Sequence, residues 1–371
     1  MKNAIIICEY NPFHNGHRYM INLLKEKYGF GSVICIMSGN FIQRGEPAVL
    51  DKYTRAKEAL NGGADLVLEL PVTFATSSAR EFASAGVALA DKLNTGGTLA
   101  FGVEPGTTEE TLFGLPDSES EEVKEKLRNG MTYPEAVSKT YGTDIPGPNT
   151  ILASEYMRAL KTADLDALLI ERKGDGYSAD IHMGKDFASA KAVRKLLSEG
   201  AFSEAAELTG SPLEIFSTCS LTFPDMLSPV LSEKLLLSDD YSAYLDVSRE
   251  INDRLLNRKN LIMSFSERID DTKTRQYTRS RISRALLHIA LGITKEKAEV
   301  LKSLGYIEYI RVLGYRKDSG LLNEIKNNSE LPIYSKSAVF AEDHPEEIYY
   351  DQLYYSLTSQ KSEFLRSPVI I

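Results

Sequence analysis

An apolar run, Ala4-Ile5-Ile6-Ile7-Cys8, passes directly into Glu9-Tyr10-Asn11-Pro12-Phe13-His14-Asn15-Gly16-His17. A buried strand that meets a Pro/Asn/Gly turn opening a helix constrains the fold more than any other feature of the chain. It predicts the first unit of an α/β domain, with a helix over residues 18–28 that Gly29 stops. Unpaired backbone N–H groups and the helix dipole converge at such a junction, so it is suited to an anion. Two of the chain's five histidines, His14 and His17, lie there, spaced to face one phosphate group.

The alternation continues. Residues 32–37, 64–70, 98–103 and 167–171 read as strands, and residues 51–61 and 77–93 as helices. This pattern predicts an α/β fold, a doubly wound parallel sheet with ligands at the carboxyl ends of its strands. The acidic, turn-rich stretch 104–128 reads as a solvated excursion. From about residue 206 helical periodicity takes over, across 227–237, 241–260, 277–291 and 295–304. The expected organisation is therefore a nucleotide-binding domain over 1–205 followed by an all-α domain over 206–371, with Tyr309–Tyr315 as a turn docking one on the other. Of the tail tyrosines (Tyr349, Tyr350, Tyr354, Tyr355), core packing accounts better than base stacking.

With 371 residues, 43% of them hydrophobic, the chain can bury a large core in two domains. No apolar run approaches the ~18 residues of a membrane span, so no membrane partner is expected. Cys8, Cys35 and Cys219 form no CxxC pair, which argues against a disulfide framework or a zinc site and for a reduced, cytoplasmic protein. The net charge of −9 disfavours indiscriminate nucleic-acid binding but permits a local basic patch.

The HxGH spacing of His14 and His17 resembles the signature of the nucleotidylyltransferase superfamily, whose members catalyse attack on the α-phosphate of a nucleoside triphosphate. The resemblance makes both histidines donors to the triphosphate. Superfamily members pair this motif with a later S-x-x-x-x-R element, which Ser189 and Arg194 match; an Arg fork suits phosphate oxygens. After the second strand, Ser38, Asn40 and Arg44 lie in a loop shaped by two glycines and a proline and offer donors for a small anion.

Longer motifs are more specific. EYNPFHNGH, SGNFIQRGEPAVLDKYTRA, GADLVLELP, PNTILASEY, GDGY and YTRSRISRALLHIALG together resemble the bacterial tRNA(Met) cytidine acetate ligase family across nearly the whole chain. That resemblance implies activation of acetate by ATP, accompanied by Mg²⁺, and acetylation of N4 of the wobble cytidine of elongator tRNA(Met). It also implies ATP contacts from the first loop (Ile7, Cys8, Glu9, Tyr10, Asn11, Pro12, Phe13, Asn15, Gly16) and from Gly102, Asn149, Arg172 and Ser189. His14, His17 and Arg194 would be the catalytic groups; the position of the loop after the second strand, not the resemblance, suggests Ser38, Asn40 and Arg44 to hold acetate or cytidine. Three positions depart from the family pattern: Thr150 replaces an asparagine, Ser178 a histidine, and Lys191 stands in the helix start, where it either adds a phosphate contact or faces solvent.

Acetate, with a pKa of roughly 4 to 5 like Asp and Glu side chains, is already a nucleophile at neutral pH, so adenylation needs positioning and charge stabilisation, not a base. Arg275, Arg279, Arg281 and Arg284 form an acid-free run on a predicted helix. It suits either a solvated face or a phosphate backbone, and the family resemblance favours tRNA. Two rivals remain: a nucleotidylyltransferase acting on a phosphorylated metabolite, and a non-catalytic RNA-binding protein.

Overall fold

The structure, a computed structural model, describes residues 2–115, 120–129, 131, 133–141, 148–171, 189–274 and 276–371. Its main sheet runs in the order β10-β8-β5-β2-β1-β6-β7, with β9 on β8. The strands are β1 (Asn3–Cys8), β2 (Ser32–Ser38), β5 (Leu66–Leu70), β6 (Thr98–Val103), β7 (Asp166–Glu171), β8 (Ile310–Tyr315), β9 (Ile333–Tyr334) and β10 (Val369–Ile370); β3 (Phe41–Ile42) and β4 (Glu46–Pro47) form a separate hairpin. The strands β5, β2, β1, β6 and β7 are all parallel, and their order reverses between β1 and β6. Those two strands pair only at Ala4↔Thr98 and Ile5↔Leu99, so their carboxyl halves are not bonded to one another. In an open α/β sheet that reversal point is where a ligand crevice forms.

Period-two alternation builds the two core layers. Ile5, Ile34, Ile36, Leu66, Leu99 and Phe101 face helices Ala79–Lys92 and Pro148–Leu160. Ala4, Ile6, Val33, Cys35 and Val67 face helices Asn15–Glu26 and Lys52–Asn61. A further core joins Leu231, Ile251, Leu255, Phe265, Ile269, Ile282 and Leu286 of the C-terminal helices to Phe41 of the hairpin and to Tyr350, Tyr354 and Tyr355. Three of the four tail tyrosines are thus core, and Tyr349 is exposed.

Three local readings need correction. The first helix begins at Asn15, not Arg18, because His14 itself serves as its N-cap. The expected helix over 241–260 is only Arg249–Arg258, since the Tyr241 N–H bonds to Asn252 Oδ1 and Asp246 adopts a left-handed φ of 62°. Residues 310–315 are no turn: they form β8, antiparallel to β5, with Ile310, Val312 and Leu313 fully buried. Among the described residues, no helix is long and apolar enough to cross a membrane.

Candidate functional site

Strand β1 delivers residues 9–14 to the crevice. Tyr10 and Phe13 anchor the loop from below, buried and packed edge to face at 5.0 Å between ring centroids. Phe13 lies so close to Gly62 that a Cβ there would clash with its ring. His14 and His17 occupy the N-cap and third positions of helix Asn15–Glu26 and close a reciprocal capping box. His14 Nδ1 accepts from the Gly16 N–H at 3.1 Å, and His17 Nδ1 accepts from the His14 N–H at 3.3 Å. Their rings stack 3.6 Å apart at 19°. Because backbone N–H groups occupy both Nδ1 acceptors, each neutral ring carries its proton on Nε2, and the pair forms two parallel N–H donors at a helix N-terminus. Asn15 accepts from Arg18 at 2.7 Å and so steadies the next turn.

Ser189 caps helix Ala190–Ser198, accepting from the Ala192 N–H at 3.2 Å, and Arg194 of that helix donates to the Asn11 carbonyl at 2.7 Å. The S-x-x-x-x-R element is thereby joined to the first loop. Burial, and then the neighbouring Arg44, depress the Arg194 pKa against the opposing pull of Glu46 and Glu9. Two guanidinium groups gathered in a partly buried place disfavour each other unless an anion joins them. The Asn11 Oδ1 accepts from the Val49 N–H at 2.8 Å, while its buried Nδ2 has no partner among the described residues.

The carboxyl end of β6 forms the opposite wall. Gly102 lies there, and Asn149 donates to Glu104 Oε1 at 2.9 Å, bringing the start of helix Pro148–Leu160 to the crevice. Thr150 beside it is buried. Ile7 packs against Gly86, and Cys8 donates to the Ile36 carbonyl at 3.7 Å; burial first, and Cys35 second, hold its thiol pKa well up, which makes it no nucleophile. Pro12, in a cis peptide with Asn11, and Gly16 complete the loop. Arg172, Ser178 and the GDGY segment lie outside the described residues, and Lys191 is exposed.

Two buried cations, Arg55 and Lys52, escape a reading of the sequence. Arg55 donates to the carbonyls of Glu9 (2.6 Å), Ser38 (3.1 Å), Leu50 (2.9 Å) and Gly39, tying the ends of β1 and β2 together. Lys52 bonds Glu69 (2.8 Å) and Asp351 (2.5 Å) and lies 3.5 Å from Glu363, which also accepts from Arg311 (3.0 Å) and Tyr53 (2.6 Å). Burial raises the Glu69 and Asp351 carboxyl pKa values against the pull of Lys52; at Glu363 burial is outweighed by Lys52, Tyr53 and Arg311, which hold it low. The only sequence-level hint is DKYTRA itself, charged residues inside an otherwise apolar helix face.

Of the three loop donors, Asn40 spends its amide on Asp351 and the Lys52 N–H, whereas Arg44 faces Arg194. Ser38 Oγ is buried without a partner among the described residues. The hairpin tip also touches the basic helix Arg279–Leu291: Ser283 donates to the Gly45 carbonyl at 2.9 Å, and a Cβ on Gly45, whose φ is +76°, would stand 2.3 Å from the Arg284 nitrogen. On that helix Arg281 is exposed, its guanidinium 5.2 Å from the Tyr277 ring centroid; Arg279 pairs with Asp270, and Arg284 is drawn inward onto Asp246 at 2.8 Å. His288 is buried between Thr76 and Leu245, and Arg275 lies outside the described residues. A cavity of about 840 Å³ lined by Lys2, Thr98, Phe113 and Asp166 opens at the other end of the strands, away from this cluster.

A family model described as HIGH Nucleotidyl Transferase matches residues 1–366. Among similar proteins, a tRNA(Met) cytidine acetate ligase of Caldanaerobacter subterraneus is 35% identical, covering 90% of this chain and 88% of that one. The ligase of that name from Clostridium kluyveri is 32% identical over 100% of this chain and 99% of its own. Crystal structures of Thermotoga maritima TmcAL, apo and bound with alpha-thio ATP, superpose with TM-scores of 0.89 and 0.86 at 26% identity, each over 100% of both chains.

Proposed function

The chain belongs to the HIGH nucleotidyl transferases and, within them, to the tRNA(Met) cytidine acetate ligases, and from this membership we propose its reaction. ATP and acetate form acetyl-adenylate and pyrophosphate, and the acetyl group then passes to N4 of the wobble cytidine of elongator tRNA(Met). The observation that carries the adenylation step is the stacked His14–His17 pair, with both Nδ1 atoms occupied, beside Arg194 and Arg44 at the β1/β6 reversal.

Acetate arrives ionised and attacks the α-phosphorus in line with the leaving pyrophosphate. The two Nε2–H groups donate to oxygens on which charge develops, and the Arg194 guanidinium holds the outer phosphates. Gly102 and Asn149 line the side of the crevice where the nucleoside would lie, and Ser38 and Arg44 are the donors for the carboxylate. Among the described residues no three His, Cys, Asp or Glu side chains cluster to hold a metal ion. Mg²⁺ would arrive with the triphosphate, whose oxygens together with waters commonly hold this ion. Arg279 and Arg281 are the proposed RNA contacts, and a tRNA substrate implies a cytoplasmic enzyme.

ATP–pyrophosphate exchange tests the first step. Exchange that requires acetate supports the reading; exchange independent of any acid, or none with or without tRNA, refutes it.

A further inference from the structure

Adenylation needs no base, but the second half-reaction does. The exocyclic amine of a cytidine bears a delocalised lone pair, and once it has attacked a carbonyl carbon it must lose a proton. The cluster at the crevice offers few acceptors. His14 and His17 present N–H donors, and their Nδ1 atoms are occupied. Glu9 Oε1 accepts from the Gln43 N–H at 2.9 Å, which pins the first loop to the hairpin. Arg44 and Arg194 are donors only.

Glu104, on the opposite wall, accepts from Asn149, whereas the Glu46 side chain accepts no hydrogen bond among the described residues. Glu46 lies in β4, paired across the hairpin with Ile42, immediately after the glycine whose carbonyl receives Ser283 of the basic helix. It therefore stands where the nucleotide grip and the RNA-facing helix meet. The charged groups facing it are Arg194 from helix Ala190–Ser198, Arg44 from the hairpin tip, Glu9 from the end of β1 and Arg279 from helix Arg279–Leu291. Burial raises its pKa, with Arg194 and Arg44 opposing, which makes it a stronger base than an exposed carboxylate.

We infer that Glu46 takes the proton from the attacking amine in the acyl-transfer step, an inference that rests on the reaction proposed above. The amine lone pair forms the N–C bond to the acyl carbon. The bond from that carbon to the phosphate oxygen breaks, its electron pair leaves with AMP, and the amine proton passes to a Glu46 oxygen and then to solvent.

The test separates the two half-reactions in the full-length protein. In Glu46→Gln, single-turnover acetyl transfer to tRNA falls about 100-fold or more, while acetate-dependent pyrophosphate exchange falls by less than about threefold, since no negative charge is added beside the triphosphate. Wild-type transfer rises with pH as Glu46 ionises, and E46Q loses that limb. Glu46→Asp, which keeps a displaced carboxylate, recovers part of the transfer rate and the pH limb. Equal losses in exchange and transfer, or unchanged transfer in E46Q, overturn the inference. A wild-type protein with no acetate-dependent exchange instead removes the reaction on which it rests.

Discussion

The two nitrogens of His17 have separable jobs, and two substitutions isolate them. Its Nδ1 accepts the His14 N–H at 3.3 Å within the capping box, which leaves Nε2 to carry the proton of the neutral ring. In His17→Asn the amide oxygen replaces Nδ1 and the distal donor disappears. In His17→Gln the amide nitrogen replaces Nε2 and the cap bond disappears. A lost cap is worth about 1 kcal/mol of stability, and a lost transition-state donor about 2.7–4 kcal/mol, or 10²–10³ in rate. H17N should therefore unfold within about 0.5 kcal/mol of wild type yet lose two to three orders of magnitude in acetate-dependent exchange. H17Q should show the opposite balance, with stability down by about 1 kcal/mol and most of the exchange retained. Urea unfolding and pyrophosphate exchange read the two effects separately. Equal activity in the two variants, or H17N within tenfold of wild type, refutes the division of labour.

Lys52→Met leaves Glu69, Asp351 and Glu363 facing one arginine in the interior and should cost about 3–5 kcal/mol of stability, whereas Asp351→Asn, which removes a carboxyl already biased towards its neutral form, should cost far less. The sign of the pH dependence follows from the same cluster. Glu69 and Asp351 are raised in the fold, so what they contribute is complete below their unfolded pKa values and fades as pH rises through the folded ones; Glu363, held low, contributes above its unfolded pKa and fades as pH falls through the folded one. Unfolding midpoints of wild type and D351N across pH should diverge accordingly. Arg281→Ala should lower the salt slope of tRNA binding by about one while sparing pyrophosphate exchange; an unchanged slope removes Arg281 from the RNA contact.

The first loop was legible because everything that shapes it is local. A β-branched run fixes the strand, Pro12 and Gly16 fix the turn, and three-residue spacing puts both histidines on one end of the helix. The start of that helix was less so, because histidine is not among the usual capping residues and declares itself a cap only through its Nδ1 contact. The alternation of strands and helices likewise gave the parallel sheet. What stayed hidden depends on pairing across the chain. The buried partners of Lys52 and Arg311, Asp351 and Glu363, lie about 300 and 50 residues further along the chain. That same Arg311 interrupts the apolar run of β8 and conceals a strand that pairs with β5. Arg284 looks equivalent to Arg281 in sequence, and only the left-handed turn at Asp246 draws it inward.

The central claim is that acetate oxygen attacks the α-phosphorus of ATP, and labelled acetate tests it most directly. With both acetate oxygens as ¹⁸O, attack at that phosphorus followed by transfer to the amine leaves one labelled oxygen in the AMP released. The account predicts singly labelled AMP, unlabelled pyrophosphate, and label in the acetyl group of the tRNA. Label in phosphate or pyrophosphate with unlabelled AMP would place the attack on another phosphorus and contradict it.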